Sequence, residues 1–160
     1  MELHETKIDI AKETREKVIG ILNQSLADAT DLKSQAKQAH WNVKGPSFIA
    51  LHELFDQVAT EMDTHVDDLA ERITSLGGVA MGTVRLAAER SSLAEYPHEI
   101  SDGAAHVDAL STAMADFGKK VRANIDATDE LGDKDTADIY TGISKAVDKL
   151  LWFVEAHKQA

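Results

Sequence analysis

Residues 45–78 read GPSFIALHELFDQVATEMDTHVDDLAERITSLGG, and this stretch decides the fold. Phe48, Leu51, Phe55, Val58, Met62, Val66, Leu69, Ile73 and Leu76 recur at steps of three and four. That period lines apolar side chains along one face of an α-helix and belongs to the seam of a helical bundle. Gly45-Pro46 precedes the stretch and Gly77-Gly78 closes it, so the pattern predicts one long helix with a turn at either end.

Working outward, the same period repeats on both sides. Val18, Leu22, Ala29, Leu32 and Ala36 predict a helix from about residue 10 to Trp41. TVRLAAER, between Gly82 and Pro97, has the composition of a short helix inside a long connection. A third long helix is expected from Ser101, whose hydroxyl would cap it with Asp102 beside the positive end of the helix dipole, to about Ala127. Ile139, Ile143, Val147, Leu150 and Val154 mark a fourth, with Asp135 or Thr136 as its cap. No segment alternates with the period of a strand. The expectation is an all-α four-helix bundle with an extra helix in the crossover between its second and third long helices.

At 160 residues the chain suits one domain spanning 1–160, with a tail of about ten residues at its start. It has no cysteine, so any metal must be held by nitrogen and oxygen. The opening MELHETKIDIAKETREK lacks an apolar run behind a basic start, and no later segment nears the roughly 18 apolar residues that a membrane span needs. A cytoplasmic protein without membrane association is expected. A net charge of -11 opposes general attraction to nucleic acid, which depends on lysine and arginine neutralising phosphates.

His40, His52, Asp67 and Glu71 form a ligand set suited to first-row metals. On the second helix His52, Asp56, Asp67 and Glu71 fall at about 0, 40, 60 and 100 degrees around the axis, which is one face. Yet His52 and Asp67 are roughly 22 Å apart along it at 1.5 Å per residue, too far for one metal ion. The Gly-Pro turn can bring His40 beside His52, while Asp67 and Glu71 are neighbours at i, i+4. Two copies packed antiparallel about a twofold axis would join the histidine end of one to the carboxylate end of the other. The competing reading is a helix-end histidine acting as a cap and two solvated acids, or acids paired with Arg72.

The stretch KQAHWNVKGPSFIALHELFDQVATEMDTHVDDLAERITSLGG (37–78), with the YPHEIS segment and the closing DTADIYTGISKAVDKLLWFVE, resembles the Dps family of mini-ferritins. The resemblance implies a ferritin-like bundle and a homododecameric shell. It also implies ferroxidase sites at the twofold interfaces, where His40 and His52 of one subunit meet Asp67 and Glu71 of another. Fe(II) and hydrogen peroxide would be the substrates and Fe(III) mineral the stored product, with zinc or manganese as the alternative metals. Glu53 and Asp56 match the family's nucleation carboxylates, with Gln57 in place of a third acid, and Trp41 and Trp152 would pack near the site. Asp126, Asp129, Glu130, Asp133, Asp135 and Asp138 fall where relatives line an iron-entry pore, Asp138 being the best match. A lysine-rich DNA-binding tail is missing: Glu2, Glu5 and Asp9 face only Lys7 in the first ten residues. DNA association is therefore expected to be weak unless metal ions bridge it. The alternative function is a nucleoid-associated stress protein with a secondary metal site.

Overall fold

A computed structural model describes residues 3–159, so Glu2 of the acidic opening lies outside the described residues. Five helices follow in order: α1 Lys12–Asn42, α2 Phe48–Ser75, α3 Val84–Arg90, α4 Gly103–Glu130 and α5 Lys134–Glu155. Among the described residues there is no strand, only an isolated bridge between Lys44 and Asp102. α1 packs along α2 and α4 along α5, and α3 lies on α1 within the crossover. This is the four-helix bundle with a crossover helix that the hydrophobic period predicts.

The α2 stripe is what holds the bundle together. Leu51, Phe55, Val58, Met62, Leu69, Ile73 and Leu76 are all buried, against Leu22, Leu26 and Leu32 of α1, Phe117 of α4 and Tyr140 of α5. Phe48 departs from the pattern: it is 43% exposed and lies against the His52 ring, with centroids 5.1 Å apart. It begins the helix at the bundle's end, where no neighbour covers it.

Both expected caps move. The α4 cap is Asp102, whose carboxylate accepts from the Ala105 amide at 3.0 Å. Ser101 is instead part of the extended bridge, its carbonyl accepting from the Lys44 amide at 2.7 Å. The α5 cap is Asp133, not Asp135 or Thr136, because the turn through Gly132 at φ +86 brings that carboxylate onto the Thr136 amide at 3.0 Å.

The start of the chain is a strap. The His4 amide donates to the Gly77 carbonyl at 2.8 Å, and Arg15 donates to the carbonyls of Leu76 (2.8 Å) and Ile10 (3.1 Å). Leu3 and Ile10 pack on the core. The donors to Leu76 and Gly77 satisfy carbonyls that the end of α2 would otherwise leave free. Gly77 is required here: its φ is +88, and a Cβ would stand 2.4 Å from the His4 carbonyl oxygen.

Candidate metal centre

His40 in the last turn of α1 and His52 in the second turn of α2 are held in a reciprocal lock. His40 Nδ1 bonds the His52 carbonyl at 2.7 Å, and His52 Nδ1 bonds the His40 carbonyl at 2.8 Å. The two rings stack with centroids 3.7 Å apart. A carbonyl oxygen can only accept, so each Nδ1 carries a proton, and Nε2 is the nitrogen left to offer a lone pair. Among the described residues neither Nε2 is hydrogen-bonded. A fixed tautomer with backbone support at the far nitrogen is the usual state of a metal-ligating imidazole.

Asp56 sits one turn beyond His52 and is engaged by Lys37 of α1 at 2.6 Å. That hydrogen bond, foremost, lowers the carboxyl pKa, and the ammonium's charge adds to the effect. Lys37 was not anticipated from sequence, though it lies three residues before His40 on the same helix and opposes Asp56 in charge. Its ammonium is also 5.8 Å from the Trp41 ring centroid. Lys33 pairs with Asp63 in the same manner along the α1–α2 groove. Glu53 is exposed.

Asp67 and Glu71 are exposed on the same α2, without a side-chain ion pair or hydrogen bond among the described residues. Arg72 does not neutralise them. Its guanidinium turns inward to Asp133 at 2.7 Å and Thr136 at 2.9 Å. Two residues before Asp67, the buried His65 has both ring nitrogens unbonded, 3.6 Å from Glu61 and 3.9 Å from Asp68. Burial holds its pKa down and keeps it neutral.

α2 runs without a break from Phe48 to Ser75, so the histidine and carboxylate pairs stay roughly 22 Å apart along the axis. Among the described residues no three histidine or acidic side chains gather closely enough to hold a metal ion. Within one chain the two pairs of candidate ligands do not meet.

The acidic segment is less uniform than its sequence. Asp133 is 1% exposed, a structural acid bound to Arg72, and so does not belong to a pore rim. Asp129 is paired with Lys134 at 2.6 Å. Asp126, Glu130, Asp135 and Asp138 are exposed. Trp41 and Trp152 are also well exposed, at 66% and 59%, with Trp152 against Phe153 at 5.0 Å between centroids. No helix is long and apolar enough to cross a membrane among the described residues.

Comparison with known proteins matches residues 19–160 to the ferritin-like domain family. A DNA protection during starvation protein of Agrobacterium fabrum is 46% identical over 159 residues, which is 99% of this chain and 98% of that protein. Among solved structures, DpsA14 from Streptomyces coelicolor superposes with a TM-score of 0.92 at 33% identity, covering 98% of this chain and 94% of that one. Dps from Microbacterium arborescens in its high iron form gives 0.87 at 31% identity, covering 99% and 100%.

Proposed function

Because the chain belongs to the Dps family of ferritin-like proteins, we propose that it binds Fe(II) at sites shared between two subunits, oxidises it with hydrogen peroxide and stores the Fe(III) product in a dodecameric cytoplasmic shell. The observation that carries this reading is the pair of locked imidazoles, His40 on α1 and His52 on α2, both with Nε2 free, and an unpartnered Asp67–Glu71 pair farther along α2 that they cannot reach. Antiparallel apposition of α2 with its copy unites them twice per dimer. The imidazoles hold the ferrous ion, and the harder carboxylate oxygens favour the ferric one, so the mixed set binds reactant and promotes its oxidation.

Two Fe(II) ions give two electrons to one peroxide. Its O–O bond breaks, two protons are taken up, and two waters and two Fe(III) result. No hydroxyl radical is released, which is the chemical form of DNA protection. Glu53 then serves nucleation beside Asp56, and Asp138 with the remaining exposed acids of its segment draws Fe(II) inward. Zinc or manganese can occupy the same nitrogen and oxygen donors without turnover; a peroxide pulse after anaerobic Fe(II) loading separates that case.

Subunit mixing tests the shared site. His52→Ala and Asp67→Asn proteins should each be inactive, but dissociated and reassembled together they should recover roughly a quarter of the intact sites, since random pairing makes half the dimers mixed and each mixed dimer has one undamaged site. Failure to recover any activity, with mixed shells demonstrated by mass spectrometry, sinks the intersubunit assignment.

A DNA-binding role is disfavoured by two features. His4 is strapped to Gly77, and the net charge is -11. Metal-free protein at physiological salt should leave plasmid mobility unchanged in a gel; a robust retardation would count for the nucleoid reading.

A further inference from the structure

Asp56 and Asp63 stand in the middle of the α2 face that carries the candidate ligands. At about 100 degrees per residue they fall roughly 40 and 20 degrees around the axis from His52, inside the arc that ends at Asp67. Each is met by a lysine of α1 in the same chain: Lys37 donates to Asp56 at 2.6 Å, and Lys33 pairs with Asp63. The iron chemistry calls for neither Lys33 nor Asp63. The register of the shared site gives them a use. If His52 is level with Asp67 of the partner subunit, then Asp56, four residues further in, is level with Asp63 of the partner subunit, and the twofold axis repeats the match. Four carboxylates thereby come together within about 10 Å along the helices, between chains that each carry a net charge of -11.

We propose that Lys33 and Lys37 are the residues that let α2 dock on its copy, by neutralising Asp63 and Asp56 before the two helices close. In the single chain both pairs are wet: 39% of the Lys33 side chain and 63% of Asp63 are open to solvent, and 32% of Lys37 and 48% of Asp56. Ion pairs so exposed contribute little to folding. Docking removes that water. A carboxylate enclosed without its cation is then strongly unfavourable, and like charges facing each other across the contact add to the cost. With the lysines in place, each subunit instead brings two compensated pairs to the axis, and Asp67 and Glu71 keep their charge for the metal. The two ion pairs therefore belong to assembly more than to the fold of the subunit.

This inference rests on the shared-site reading and is tested on metal-free protein by sedimentation and native mass spectrometry. Lys33→Gln with Lys37→Gln should keep the helical content and raise the subunit dissociation constant at least about tenfold. Adding Asp56→Asn and Asp63→Asn should restore assembly although the α1–α2 ion pairs are still missing, a rescue that lysines needed only to hold α1 on α2 would not show. Lys119→Gln with Lys145→Gln makes the same change in net charge at exposed positions of α4 and α5 and should assemble like the parent. Unchanged assembly of the α1 lysine variant, loss of its helix, no rescue by the two asparagines, or equal dissociation of the α4–α5 control overturns the inference. The shared site then still stands on the activity recovered in mixed shells. If the mixed His52→Ala and Asp67→Asn shells stay inactive, the shared-site reading fails and takes this inference with it.

Discussion

Asp133→Ala is expected to cost about 3–5 kcal/mol of fold stability, the cost of leaving a buried guanidinium without its counter-charge. Asp133 is 1% exposed and the Arg72 side chain 11%, so solvent cannot replace the lost partner. One carboxylate does three things at once: it accepts from Arg72 at 2.7 Å, caps α5 through the Thr136 amide at 3.0 Å, and accepts from the Thr136 hydroxyl at 2.6 Å. Because α2 and α5 meet at few places, this tie sets how the second helix of one hairpin sits on the other. Chemical denaturation at fixed protein concentration measures the loss, and concentration must be held because assembly shifts apparent stability. Replacing both Arg72 and Asp133 with apolar residues should cost less than the two single changes summed. A loss below about 1 kcal/mol for Asp133→Ala would show that the pair is relaxed into water and would falsify its structural role.

Asp67→Asn with Glu71→Gln should have the opposite signature: stability within about 0.5 kcal/mol of the parent, and peroxide-dependent Fe(II) oxidation down at least about 100-fold. Both side chains are exposed and unpartnered within the described residues, so neutralising them removes no contact inside the subunit. The charge they present serves nothing in the fold of the single chain, and loss of activity without loss of stability is how a ligand differs from a structural acid. Stopped-flow oxidation and thermal unfolding on the same preparation decide it. Retained rapid oxidation would remove these carboxylates from the site, whatever the unfolding curve showed.

Asp133 and Asp67 also show what the sequence could and could not convey. Burial follows local periodicity, so the α2 stripe, both hairpins and the crossover helix were legible from residue spacing, and so was the 15-residue gap that splits the ligand set. Partners distant in sequence were not legible. Nothing near Asp133 announces Arg72, 61 residues away, and spacing alone did not show that Asp133 is buried and Asp129 paired with Lys134. Capping depends on where the loop delivers the chain, which is why Ser101 and Asp135 gave way to Asp102 and Asp133. Gly77-Gly78 read as a helix stop, but its second use as the seat of His4 is a contact across 73 positions. The Gly-Pro turn already placed His40 beside His52, while their mutual backbone lock, which puts a proton on each Nδ1, is visible only in three dimensions.

The unbroken course of α2 has a kinetic consequence. On the proposed reading, iron oxidation is second order in the chain: a newly made subunit carries every ligand but no working site, and the active fraction follows mass action in the subunit concentration. Oxidising chemistry is thereby withheld from the free polypeptide. It begins only where a copy has already docked and the forming shell is there to receive the product.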